Sequence, residues 1–111
     1  MKQNDGFIKV CKDSELKEKI GRRFFVDDVD VALFKVEGQI YALNNVCIHL
    51  KAAIIYDGFI EDGKVTCPSH GWQFNLKTGK VPHGTKGLDS YDVKVIGDDI
   101  YVKVFKKEPR W

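Results

Sequence analysis

The stretch Cys67-Pro68-Ser69-His70-Gly71-Trp72-Gln73-Phe74-Asn75-Leu76-Lys77-Thr78-Gly79-Lys80-Val81, read with Cys47-Ile48-His49 upstream of it, decides this chain. The later stretch opens on C-x-x-H and the upstream triplet is C-x-H, with the 17 residues Leu50 to Thr66 between them. The chain has three cysteines and three histidines, and four of those six residues fall into this one pattern, so scatter is a poor explanation. Each half-site brings one soft thiolate and one imidazole. Cys47, His49, Cys67 and His70 could close a tetrahedral zinc site, although the familiar zinc layouts pair cysteine with cysteine and histidine with histidine. Mixed half-sites also suit a two-iron cluster with one cysteine-bound and one histidine-bound iron, each loop giving one ligand to each metal.

With that ligand order the chain resembles the Rieske family, specifically the small Rieske-type ferredoxins. The resemblance runs from about Phe7 to Val104 and includes CPSHGWQFNLKTGKV and the closing VKVIGDDIYVKV. It implies one 2Fe-2S cluster held by Cys47, Cys67, His49 and His70. It also implies a carrier that takes single electrons from a flavoprotein-type reductase and passes them to a terminal oxygenase or another acceptor. Such a carrier needs no catalytic residue. An oxygenase site of its own would need two further histidines and a carboxylate, and His83 is the one histidine left over; it reads as an exposed loop residue. Two other readings stay open: a tightly bound small subunit like that of assimilatory nitrite reductases, and a zinc-stabilised interaction module.

Around the half-sites the chain reads as short strands and tight turns. Phe7 to Cys11, Arg23 to Val26, Val31 to Val36 and Gln39 to Leu43 form one series. Phe59 to Glu61, Lys64 to Thr66, Trp72 to Asn75, Tyr91 to Ile96 and Ile100 to Phe105 form the next. Glu37-Gly38, Asp62-Gly63, Lys77-Thr78-Gly79 and Gly97-Asp98-Asp99 mark the turns. Asp13 or Ser14 is expected to cap a helical turn through Leu16 and Ile20, ended by Gly21. Evenly spaced strands with Gly/Asp turns predict an all-β fold, a small antiparallel β sandwich or partly open barrel. The resemblance adds an inserted β cluster-binding subdomain of about Val46 to Pro82. Residues 1–105 read as one domain and 106–111 as a charged tail.

The neighbours of the ligands take roles from the same resemblance. Leu50 would shield the cluster from water, Pro82 would cap it from a third loop, and Gly71 would turn the backbone so that N–H groups aim at it. High-potential relatives carry an extra cysteine in each loop, which join as a disulfide; the corresponding residues here are Ala52 and Ser69. Those relatives also donate serine and tyrosine hydroxyls toward the cluster, at positions held here by Trp72 and Phe74. Hydrogen bonds to the sulfurs favour the more negative reduced state, so their loss places the potential at about −150 to 0 mV, the low end of the Rieske span.

Composition narrows the remaining classes. A net charge of +2, with 18 Lys and Arg against 16 Asp and Glu, calls for neither nucleic acid nor an anionic membrane. No run approaches the roughly 18 apolar residues that span a bilayer, and the first residues lack the apolar core of a secretory signal. Thiolates kept reduced then point to the cytoplasm, and the carrier is expected to be a monomer. Cys11 falls in the alternating stretch Phe7-Ile8-Lys9-Val10-Cys11 and reads as a small buried hydrophobe in a strand.

Overall fold

The computed structural model describes residues 6–46, 53–68, 71–81 and 87–105. Among these residues, nine strands form two antiparallel sheets. The larger sheet runs β1 (Ile8–Lys12), β9 (Asp99–Lys103), β8 (Ser90–Ile96), β4 (Gln39–Asn44), β3 (Val29–Val36), β2 (Arg22–Val26), in that spatial order. Its outer strands β1 and β2 approach one another, so the sheet curls into a nearly closed barrel. The smaller sheet, β5 (Phe59–Glu61), β6 (Lys64–Thr66) and β7 (Gln73–Asn75), is inserted between β4 and β8, which pair with each other in the barrel.

The apolar run of β3 explains how the two sheets join. Successive side chains on a strand point to opposite faces. Val29, Val31 and Leu33 enter the barrel core with Cys11, Val26, Ile100 and Val102. Ala32 and Phe34 face the other way, into a second core with Leu43, Ile55, Val65, Phe74 and Leu88. A strand buried on both faces needs a continuous hydrophobic run rather than an alternating one, and Val31-Ala32-Leu33-Phe34 supplies it. β4 does the same with Ala42 on the barrel side and Leu43 on the insert side.

Three hairpins turn on residue pairs with positive φ at both positions: Asp27-Asp28, Glu37-Gly38 and Asp62-Gly63. That is the backbone twist a two-residue hairpin prefers. The first was not marked in the sequence because it has no glycine. The helical turn expected through Ile20 shrinks to a 3-10 turn at Asp13–Glu15. Asp13 and Ser14 spend their side chains elsewhere, on Lys35 Nζ (3.1 Å) and Asp98 Oδ2 (3.5 Å), while Glu15 accepts the Lys12 N–H. Leu16 is already extended and plugs the barrel core, and Glu18 bridges Lys35 on β3.

Cys11 sits in β1 beside a bulge and is buried in the barrel core. Burial pushes its thiol up to about 11, with Glu15 and Asp13 adding to the shift and Arg22 opposing it. It is a packing residue in a low-polarity wall, far in the fold from the insert's core.

Candidate metal centre

Of the ten residues singled out in the sequence, Cys67, Gly71, Trp72 and Phe74 are described. Cys47, His49, Leu50, Ser69, His70 and Pro82 lie outside the described residues. The structure does show how the segments that carry them are anchored. Each of the three relevant loops is closed at its neck by backbone pairing.

The first neck joins Val46 to Ala53 by an antiparallel bridge, on either side of the C-x-H segment. Two asparagines brace it. The Asn44 Oδ1 accepts the Val46 N–H (2.9 Å), and its Nδ2 donates to the Tyr91 hydroxyl (3.0 Å). Asn45, fully buried, ties the end of β4 to Asp30 and to the returning arm at Ile55 and Tyr56. Neither asparagine was singled out from the sequence. The available signal was two amides in a row where an apolar strand runs into C-x-H.

The second neck lies between β6 and β7. The Cys67 N–H donates to the Trp72 carbonyl (2.7 Å) and the Gly71 N–H to the Cys67 carbonyl (3.0 Å). Gly71 takes φ +74°, which a side chain would resist. Its own N–H is spent on closing the loop at Cys67. The third neck pairs Lys80 with Gly87 and adds the Leu88 N–H to the Gly79 carbonyl (2.7 Å), enclosing 82–86.

All three necks drain into one apolar core. Ile55 follows the first loop, Cys67 opens the second and Leu88 follows the third, and the three share one buried cluster with Val65 and Phe74; Ile54, Tyr56 and Val81 pack against it. Cys67 is 1% exposed. The insert therefore sets a soft sulfur donor in an apolar wall that all three necks share. That donor chemistry fits a thiolate- and imidazole-held group, and a cysteine at this depth is shielded from solvent on its inner side. Trp72 is 39% exposed, and its ring tilts against the buried Phe74 at 6.5 Å between centroids. Phe74 carries no hydroxyl, and the Trp72 carbonyl is committed to Cys67.

Fold and site together define a class: a small curled β barrel with an inserted three-stranded sheet whose three loop necks share one apolar core. The chain belongs to the Rieske [2Fe-2S] domain family, whose sequence model matches residues 6–106. It is 37% identical over 106 residues to the 3-phenylpropionate/cinnamic acid dioxygenase ferredoxin subunit of Escherichia coli (strain K12), covering 92% of this chain and 97% of that one. A solved complex of reduced oxygenase and oxidized ferredoxin in carbazole 1,9a-dioxygenase contains a chain that superposes with TM-score 0.78. It is 30% identical and covers 96% of this chain and 100% of that one. A putative NADH-dependent nitrite reductase small subunit from Mycobacterium tuberculosis superposes with TM-score 0.84, covering 91% and 96%. At 24% identity this last likeness shows the fold alone.

Proposed function

We propose that the chain is the ferredoxin component of a multicomponent redox system: it binds one 2Fe-2S cluster through Cys47, Cys67, His49 and His70, and carries single electrons. Electrons would come from a flavoprotein-type reductase and go to a terminal oxygenase. The observation that carries this reading is the burial of Cys67 at the meeting point of the three loop necks. The relatives named above support it, since one is a dioxygenase ferredoxin subunit and another is the ferredoxin of an oxygenase complex. The chain is an electron carrier rather than the catalytic component. The nitrite reductase likeness supports the shared fold and adds no second function.

Bound at this site, the cluster supplies a one-electron couple. The chain's part is to hold, orient and insulate it. Phe74, Val65 and Ile55 make the inner wall apolar, which disfavours added charge on that side. With Trp72 and Phe74 offering no hydroxyl, the potential belongs at the low end, about −150 to 0 mV. Leu50 covers the site from water and Pro82 caps it. Residues 46–82 act as the cluster-binding part of one domain spanning 1–105, with 106–111 as a tail. The carrier works as a cytoplasmic monomer; among the described residues no helix is long and apolar enough to cross a membrane. Docking that permits turnover is small in area, below about 1,200 Å².

Anaerobically purified protein tests the reading. Two irons and two acid-labile sulfides per chain, with red-brown colour that bleaches on dithionite and a rhombic EPR signal in the reduced form, are expected. Colourless protein holding one zinc would sink it.

A further inference from the structure

We infer that Asn45 is the positioning residue of the first ligand loop, a buried amide clip that joins both arms of that loop to the barrel and keeps Cys47 and His49 in register with Cys67, an inference that rests on the cluster reading above. Asn45 is the buried polar residue among those described. All four of its polar groups are used. Its N–H donates to the Asp30 carbonyl (2.8 Å), and its carbonyl accepts the Ile55 N–H (3.2 Å). Its Nδ2 donates to Asp30 Oδ1 (3.1 Å), and its Oδ1 accepts the Tyr56 N–H (2.7 Å).

The partners matter more than the number. Asp30 belongs to β3, the strand shared by both cores, while Ile55 and Tyr56 belong to the arm returning from the C-x-H loop. Asn45 itself leads into that loop, two residues before Cys47. One side chain therefore fixes the outgoing arm, the returning arm and the scaffold to each other. Ile55 then packs in the same core as Cys67, which carries the registration across to the second loop.

Chemistry at the site specifies an amide. A carboxylate here would set two acids against each other, because the atom facing Nδ2 is Asp30 Oδ1. Asp30 is already oriented by the Arg23 fork, Nε to Oδ1 at 3.0 Å and the terminal nitrogen to Oδ2 at 2.8 Å. The Phe25 ring lies 5.0 Å from the Arg23 guanidinium and steadies that fork. A side chain without a donor or acceptor would strand the part-buried Tyr56 N–H, and leaving such a donor unpaired costs more than the bond itself contributes. Supporting residues behind metal ligands typically change metal retention by about 10- to 100-fold when removed.

The experiment compares cluster release from purified holoprotein under a chelator, at a temperature well below unfolding, with EPR of the reduced form as the second readout. Asn45→Ala should release iron about tenfold faster and broaden the EPR lines. Asn45→Asp should behave alike. Val102→Ala, in the barrel core, is the control for general loss of stability and should release iron as wild type does. Equal release from Asn45→Ala and Val102→Ala overturns the inference. Should Asn45→Ala fail to fold, Arg23→Lys keeps the exposed charge but breaks the fork; about threefold faster release is expected, and the wild-type rate would overturn it. Wild-type protein without iron would instead bring down the cluster reading itself, and this inference with it.

Discussion

Replacing Gly58 by alanine should unseat the cluster by pushing two loop necks apart. Gly58 has φ −78° and ψ 169°, ordinary extended backbone that alanine adopts freely, so the effect is steric. A Cβ at this position would lie 2.8 Å from Val65 Cγ2 and 3.2 Å from the Ile55 carbonyl oxygen, and closer still to the Thr66 carbonyl oxygen. Carbon atoms pack at about 3.5–4.0 Å, so the returning arm of the first loop must retreat from β6 by about 1 Å. Overpacking of this kind costs about 1–3 kcal/mol. With an unfolding entropy of about 2.1 cal/mol/K per residue, that is a fall of about 4–13 °C in thermal midpoint for a chain of this length. Cys67 directly follows Thr66, and metal–ligand distances tolerate only about 0.2 Å. Iron and sulfide per chain should therefore drop well below full occupancy, measured with visible absorbance and a thermal melt. Gly63→Ala is the control: its Cβ meets nothing within 4 Å, but it must hold φ +75°, at about 1–2 kcal/mol, so it should melt a few degrees lower with full iron. Full iron and an unchanged midpoint in Gly58→Ala would refute the reasoning, as would equal iron loss in Gly63→Ala.

Phe74→Tyr should raise the reduction potential by about 40 mV, the equivalent of one hydrogen bond of about 1 kcal/mol favouring the reduced state; a dye-equilibrated titration measures it, and a lower melting point with an unchanged potential would place the hydroxyl elsewhere. With His49 and His70 as the proposed ligands, the potential should also fall as pH rises through the alkaline range, because oxidised iron would make their outer imidazole protons more acidic; voltammetry across that range checks it, and a flat line counts against imidazole ligands. Cys11 should resist alkylation in the native protein at pH 8 and react at once in denaturant. Since its folded thiol titrates at about 11 against 9.0 when unperturbed, the unfolded state loses the proton first. Stability should then decline as pH climbs between those values, and Cys11→Val should remove that slope in denaturant titrations. Removing iron should cost amide-exchange protection in β5–β7 while β1–β4, β8 and β9 keep theirs, because the barrel has a core of its own; uniform loss would disprove that independence.

What the sequence disclosed follows from how local each signal is. Asp62-Gly63 and Glu37-Gly38 announce their hairpins because glycine marks positive φ, whereas Asp27-Asp28 makes the same turn without advertising it. Leu16 and Ile20 have helical spacing, yet one plugs the barrel and the other is exposed; only the tertiary contacts of Asp13 and Leu16 decide against a helix. Cys67 stands out in the sequence as a candidate ligand because its spacing to His70 is chemical rather than structural. Asn45 does not, because an asparagine beside a loop looks like any turn residue until its four partners are known. Gly71 was legible as a turn, and its φ of +74° agrees; the carbonyl its N–H finds, that of Cys67, was not, since no pattern in the sequence tells which acceptor an N–H will meet.

The pairing of β1 with β9, Ile8 opposite Val102, sets an order of events during synthesis. A ribosome releases the whole insert, β5 to β7 with its three necks, well before β9 emerges to lie beside β1. Contacts this distant in sequence form slowly, although the entropy of closing so long a loop grows only with its logarithm. The insert is thus made of one uninterrupted middle stretch, and the barrel that steadies it is completed last. A nascent chain halted before β9 would present a finished insert, with Cys67 already walled in, on an unfinished barrel.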